Sequence, residues 1–328
     1  MHYAKRLTCF AAAACFATAM SAQAEEFIYS GVATTSDDYQ LGVIWSNILA
    51  GEGSEFSLTP VENGTVAGMR QAAQGRVDIV AVGSPHYLDA INNTGRHEDD
   101  PARLVEAYEE MTVLFAIPTG MAQYVARTDA GIDDFYDLED KSLGIGRPGG
   151  NAGRVTQTLF EIHGLESVSG EHMEYGDALD EMATGNLDAT LIWGGIPDSA
   201  IDNASRNMDL KFFSPDPDTL ADFQAAITNG EYYVYQEVPQ ETIESAYDGR
   251  VAVDGSAYFW TFPFQIMATP ALSDEAAYEI VRALWENIDE VHRQSAALSL
   301  VRLETALDSI SADIHPGARR YYEEVGAL

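Results

Sequence analysis

The apolar positions of the chain change period along its length, and the changes recur in the same order twice. Phe27-Ile28-Tyr29 has the density of a buried strand, Gly31 to Tyr39 is a small-residue loop, and Leu41, Ile44, Trp45, Ile48 and Leu49 recur at helical spacing. Ser142 to Gly146 repeats the strand and Arg147 to Gly153 the glycine-rich loop, while Val155, Leu159 and Ile162 repeat the helical stripe, which stops at Gly164. A second signature follows each copy, a helix running into Gly-x-hydrophobic-Asp and a strand. Gly75-Arg76-Val77-Asp78 leads into Ile79 to Val82, and Gly185-Asn186-Leu187-Asp188 into Ala189 to Trp193. Near the end, Ala277, Ile280, Val281, Leu284, Ile288 and Val291 form a stripe behind the capping sequence Ser273-Asp274-Glu275. It is expected to pack on the first half as scaffold, with Pro316 starting a last helix and Tyr321 and Tyr322 packing.

The repeat predicts two α/β lobes joined by extended crossings. The expected boundaries are 25–122 for the first part of lobe I, 123–234 for lobe II, and 235–328 for the return crossing with the rest of lobe I. Ligands of open α/β sheets bind beyond the carboxyl ends of the strands, where helix N-termini offer unpaired N–H groups. Two such lobes facing each other make a cleft suited to a small anion.

The segment before the first strand has a different pattern. Lys5 and Arg6 precede an apolar run from Leu7 to Met20, and Ala22-Gln23-Ala24 supplies small residues for cleavage, so 1–24 reads as an export signal cut after Ala24. The run is too short to span a bilayer. Both cysteines, Cys9 and Cys15, fall inside it, leaving no mature thiol for a disulfide or a nucleophile. The expected location is the periplasm.

Charge narrows the partners. The full chain carries 18 basic and 52 acidic residues, a formal −34 that repels nucleic acid; without Lys5 and Arg6 it is −36. Gly144-x-Gly146-x-x-Gly149 formally fits a dinucleotide fingerprint, but Pro148 inside the turn and the export signal oppose it. His163, His172 and His315 have no partner set for hydrolysis, and Asp216-Pro217-Asp218 has too few ligands for a metal. Neither an enzyme, a cofactor nor a metal is expected.

Several segments together resemble the TAXI solute-binding proteins of TRAP transporters: Gly64-Thr65-Val66 through Asp78-Ile79, Gly144 to Gly149, Gly185 to Ala189, Gly194-Gly195-Ile196-Pro197, Leu284 to Asn287, and His315 to Tyr322. The resemblance runs over nearly all of the chain after residue 24. It implies a two-lobed type II periplasmic binding fold, a central mixed sheet in each lobe, and a monomeric receptor that closes on a small organic acid. The acid implied is a dicarboxylate such as 2-oxoglutarate, or a glutamate-like amino acid, delivered to a TRAP membrane subunit with fused small and large parts. A solute sensor with no transport role shares every cleft feature.

The same resemblance suggests the contacts. Gly64 and Thr65, with Asn63 before them, fall on a Gly-Ser helix start; Ser84 follows the next strand, with His86 as a rim or core residue. In lobe II, Gly149, Gly150, Asn151 and Ala152 occupy a Gly-Ser-Gly-Thr loop, so the hydroxyl is lost at Ala152. The first loop departs most, offering Thr34, Ser36, Asp38 and Tyr39. Arg147 either pairs with a ligand carboxylate or sits on the surface, and Arg154 is expected exposed. Asp37 and Asp38 either cap their helix or point one carboxylate inward, where with Arg147 it would suit a zwitterion. Trp193, Gly194 and Gly195 end the second repeat at the cleft, and Tyr175 and the aromatics from Tyr258 to Phe262 are core or wall. In so acidic a chain, capture of an anion rests on local donors, and moderate salt is expected to speed it.

Overall fold

The computed structural model describes residues 24–328 apart from Ala33, Thr35, Thr119 and Gly149, and apart from the side chain of Ala296. The expected export signal, bar Ala24, and the expected Gly149 contact therefore lie outside the described residues. The first run of elements is β1 (Glu25–Gly31), α1 (Asp37–Glu52), β2 (Phe56–Glu62), α2 (Thr65–Ala73), β3 (Ile79–Gly83), α3 (Ser84–Ile91), α4 (Ala102–Glu109) and β4 (Thr112–Ile117). The second is β5 (Met121–Arg127), β6 (Ser142–Gly144), α5 (Asn151–Ile162), β7 (Ser169–Glu171), α6 (Tyr175–Thr184), β8 (Ala189–Gly194), α7 (Ser199–Ala204), β9 (Leu210–Phe213), α8 (Leu220–Ala226), β10 (Val234–Val238), α9 (Gln240–Ala246), β11 (Val251–Ala252) and β12 (Ala257–Thr261). The chain then returns with β13 (Phe264–Ala268), α10 (Asp274–Glu286), α11 (Ile288–Gln294) and α12 (Pro316–Val325).

Two mixed sheets result. The first has the order β2-β1-β3-β13-β4 and the second β11-β9-β5-β8-β6-β7. In the first, β1 runs parallel to β2 and β3, while β13 is antiparallel to β3 and β4. In the second, β6 runs parallel to β7 and β8, and β5 is antiparallel to β8 and β9. Thus β7-β6-β8-β5-β9 reproduces the first sheet strand for strand. The repeat read from the sequence is a repeat of topology.

The repeated aspartates explain how each unit holds its register. Asp78 Oδ2 accepts from the Ile28 N–H at 2.7 Å, and Asp188 Oδ2 accepts from the Ser142 N–H at 2.8 Å and the Ser142 hydroxyl at 2.9 Å. Each carboxylate stands just before the central parallel strand and ties down its neighbour, β1 in one lobe and β6 in the other. Asp78→Ala and Asp188→Ala should each cost about 1–3 kcal/mol by stranding these donors. Urea unfolding would read the loss; no change in either variant would refute the clamp.

The stripe of α1 is buried as expected: Leu41 and Trp45 have no exposed surface, and Trp45 Nε1 donates to the Ile280 carbonyl of α10 at 2.6 Å. Ser273 caps α10 by accepting from the Ala276 N–H at 3.2 Å. One boundary differs from the expected 234/235. Here β11 pairs with β9 inside the second sheet, and Ile243, Tyr247, Val251 and Phe259 pack into one cluster with Val125, Ile192 and Phe212. The second lobe therefore continues through β12, and the return to the first sheet falls at Phe262 and Pro263. Short β10 and α9 carry no periodic signal that says which sheet they cover.

Candidate functional site

The two passages between the sheets lie between β4 and β5 and between β12 and β13, and the second is filled with aromatic rings. Phe262 stacks on Trp193 at 5.2 Å between centroids, and lies 6.3 Å from Trp260 and 5.7 Å from Phe264. It meets Tyr233 edge-on at 5.3 Å and the His86 ring at 5.1 Å. Lobe II supplies Trp193 and Tyr233, and lobe I supplies His86 and Phe264. Gly83 makes the approach possible, because a Cβ there would overlap the Phe262 ring and lie 2.7 Å from His86 Nδ1.

On the lobe I side, the adjacent carboxylates at the start of α1 part company. Asp38 is buried, and its Oδ2 accepts from the Val32 N–H at 2.7 Å. Burial raises its pKa, while bonds from the Ser36 side chain and from backbone amides oppose the rise. It pins the first loop to its own lobe. Asp37 faces the other lobe: a Cβ on Gly195 would lie 3.4 Å from its Oδ2. Burial first, then the charges of Asp38 and Asp198, push Asp37 up to about 6.

The other lobe I candidates are bound to their surroundings in different degrees. The Gly64 N–H donates to Val32 O at 3.0 Å with φ of 71°, a left-handed turn that suits glycine, and Thr65 opens α2 without a side-chain cap. Asn63 donates to Ser30 Oγ at 3.1 Å and accepts from Gln71 at 2.8 Å. The Thr34 N–H donates to Glu62 at 3.1 Å, and Tyr39 packs its Cα and Cβ close to Gly31. Ser84 is fully buried, its hydroxyl directed at the Ser309 carbonyl at 3.2 Å rather than left free. His86 Nδ1 is buried with no partner among the described residues. Burial chiefly, then the positive charge of Arg154, pushes its pKa down to about 3, so the ring is neutral at working pH.

On the lobe II side, Arg147 lies on the surface. Its side chain is 68% exposed, and its Nε donates to Glu174 at 2.7 Å, an exposed pair of little energetic consequence. The alternative in which Arg147 and Asp38 would flank a zwitterion is not formed, because Asp38 points into its own lobe and Arg147 to solvent. The guanidinium that reaches the crossing is that of Arg154, one turn into α5. It donates to Asn151 Oδ1 at 2.7 Å and to the Tyr233 hydroxyl at 3.3 Å, and Asn151 Nδ2 meets the same hydroxyl at 3.3 Å. Gly150 is the N-cap of α5, its N–H donating to Arg147 O at 3.0 Å, and Ala152 is half-buried behind it. Tyr175 opens α6 against Gly146.

The turn after β8 completes this wall. Buried Gln123 on β5 donates from Nε2 to the carbonyls of Gly194 and Gly195, at 2.9 and 2.8 Å, and its Oε1 accepts from the Tyr247 hydroxyl at 3.2 Å. That hydroxyl accepts from the Asp198 N–H at 2.8 Å, and Asp198 caps α7 through the Ala200 and Ile201 N–H groups. Gly194 and Gly195 thus present a fixed backbone to Asp37. Sequence reasoning did not single out Gln123, Tyr233 or Asp198; it placed Arg154 on the surface, where it is exposed, but did not foresee that its guanidinium reaches the Tyr233 hydroxyl. The spacing of Asn151 and Arg154, three apart on one helical face, was the available signal.

A family model described as the NMT1-like family matches residues 31–326, nearly the whole described chain. The protein belongs to that family. Among solved structures, this NMT1-like chain is similar to a putative periplasmic sulfonate-binding protein of a sulfonate ABC transporter from Methylobacillus flagellatus KT, at 12% identity, 92% coverage of this chain and 78% of the other, and a TM-score of 0.46. It is similar to a TRAP periplasmic solute binding protein from Pseudomonas aeruginosa PAO1 with bound L-malate, at 12% identity, 92% and 99% coverage and a TM-score of 0.45. It is also similar to the periplasmic aliphatic sulphonate binding protein of Escherichia coli, at 12% identity, 83% and 77% coverage and a TM-score of 0.43. Among the described residues of the NMT1-like chain, no helix is long and apolar enough to cross a membrane.

Proposed function

We propose that this chain is an exported solute receptor of the TAXI type, which captures a small organic acid between its lobes and hands it to a TRAP membrane subunit. The observation that carries the reading is the meeting of α1, α3 and α5 at the crossing between two topologically repeated lobes. The first-turn N–H groups of α5 lack intrahelical acceptors, whereas at α1 the Asp38 carboxylate accepts from its own and the Tyr39 amide and at α3 the Ser84 N–H donates to Pro263 O at 2.9 Å; the aromatic wall of Trp193 and Phe262 stands beside these helix starts. Arg154 and Asn151 add donors on the lobe II side, and Asp37 adds one acceptor on the lobe I side. A carboxylate at the α5 start with an ammonium near Asp37 would engage both lobes, which closure requires. Membership of the NMT1-like family and the motifs shared with TAXI proteins support the receptor reading.

A thermal-shift screen of the full chain against dicarboxylates, keto acids and amino acids tests it. A cognate acid at 100 times its Kd should stabilise the protein by about 2.7 kcal/mol. Arg154→Ala should weaken that ligand at least tenfold, whereas Arg147→Ala should leave it nearly unchanged. A screen with no shift for any carboxylate would remove the ligand class, and equal effects of the two arginine variants would remove the assigned contact.

A further inference from the structure

An open groove lined by residues other than those above runs along the face of lobe I and is closed on one side by lobe II. Tyr87 of α3, Glu109 at the end of α4, Met111, Ser311 and Asp313 line it from lobe I, and Tyr232 lines it from the turn that leads into β10. Tyr87 is only 3% exposed, yet its hydroxyl has no hydrogen-bond partner among the described residues. Glu109 and Asp313 are exposed and form no ion pair among the described residues. Ser311 is already taken, its hydroxyl accepting from Gln265 at 2.7 Å, and Met111 is buried. The groove therefore offers two carboxylates and two phenol oxygens as acceptors, beside aromatic faces, and its lining includes no basic side chain.

The lobe II wall is fastened in place. Asn229, in a left-handed conformation with φ of 55°, donates from Nδ2 to Asp89 Oδ1 at 2.9 Å and to the Pro85 carbonyl at 3.3 Å, both on α3. Tyr232 follows three residues later, its N–H donating to Asn229 O at 3.2 Å. The groove is complete only while this contact between the lobes holds.

We propose that the groove binds an alkylammonium or guanidinium group, with Glu109 and Asp313 accepting its N–H bonds, the Tyr87 hydroxyl meeting it at the floor, and Tyr232 supplying a wall only when the lobes are together. A cation here gains charge-assisted hydrogen bonds and a ring face at once. An anion is excluded by the two carboxylates. The reading of Tyr87 is supported by its phenol, which burial first and then Glu109 and Asp313 push up to about 12, keeping it protonated.

Titration calorimetry of the full chain with agmatine, in parallel with an acetylated and amidated Gly-Arg-Gly peptide, tests the site in 0.15 M salt. The expected result is saturable one-to-one binding of at least one probe, weakened at least tenfold by Glu109→Gln with Asp313→Asn and severalfold by Tyr87→Phe. Tighter binding of agmatine would assign the site to a free amine; tighter binding of the peptide would assign it to a side chain presented by a partner protein. Asn229→Ala, which touches no lining side chain directly, should also weaken binding severalfold by freeing the wall. No saturable binding of either probe would overturn the proposal. Binding that survives the double carboxylate variant unchanged would overturn it as well, since the overall charge of the chain would then suffice.

Discussion

Gly317→Ala should lower the melting temperature by roughly 4–6 °C, the equivalent of about 3 kcal/mol in a chain of this size. Gly317 is the second residue of α12, where that helix crosses the start of α10. A Cβ there would overlap the backbone carbonyl of Asp274 and lie 2.9 Å from Ala277 Cβ, and neither neighbour can swing aside. Nor can α12 retreat. The Tyr322 hydroxyl donates to the Leu114 carbonyl at 2.8 Å and accepts from Trp285 Nε1 at 3.2 Å, while His315 accepts from the Gly317 N–H at 3.1 Å. Gly51→Ala is the matched control. It sits near the end of α1 with open space around its Cα, so it should be neutral or stabilising by up to about 1 kcal/mol. Thermal unfolding followed by circular dichroism would separate the two. Equal shifts would mean that helix crossing distance does not limit stability here.

Asp37→Asn should leave stability nearly unchanged at pH 4 and raise it by roughly 1–3 kcal/mol at pH 8. The folded chain holds the Asp37 proton to about 6, because burial and then the charges of Asp38 and Asp198 disfavour its carboxylate. The unfolded chain releases that proton near its ordinary value of 3.8. The folded form thus binds more protons between these values, so the contribution of Asp37 is fully present below pH 4 and is lost as pH rises through 6. An uncharged amide removes the loss. Solvent reaches Asp37 and reduces the figure from the full two-unit shift. Urea midpoints at both pH values give the measurement, and a pH-independent difference would show that the carboxylate is screened. Because Asp198 lies on the other lobe, Asp37→Asn should have a smaller effect in an Asp198→Asn background.

Much of this architecture is legible in residue order. Leu41, Ile44, Trp45, Ile48 and Leu49 are spaced for one face of a helix, and all are buried. The pair Asp78 and Asp188 marked a repeated unit, and each clamps the equivalent strand. The site was legible only as a neighbourhood. Successive residues of a helix point about 100° apart, so the sequence Asp37-Asp38 cannot say which carboxylate turns outward until the loop is folded. The same limit left Arg147 open between ligand and surface: a guanidinium at a loop mouth is free to find a surface partner, and Glu174, distant in sequence, provides it. Gln123 is hidden among the apolar residues of β5, where only three-dimensional proximity reveals the carbonyls it serves.

The position of β13 has a consequence for how the molecule is made. It is the last strand in chain order, yet it lies inside the first sheet, between β3 and β4. During synthesis from the N-terminus, β1, β2 and β3 can assemble early, but β4 has no neighbour to join until residue 264 has emerged. The second lobe lies wholly within 121–261 and can close on itself meanwhile. For that interval the β3 edge and both edges of β4 stay open to pairing with other chains, and they are almost entirely apolar. The nascent protein therefore passes through a stage in which one half is finished and the other is the adhesive part, and a holdase that covers strand edges is the assistance this topology calls for.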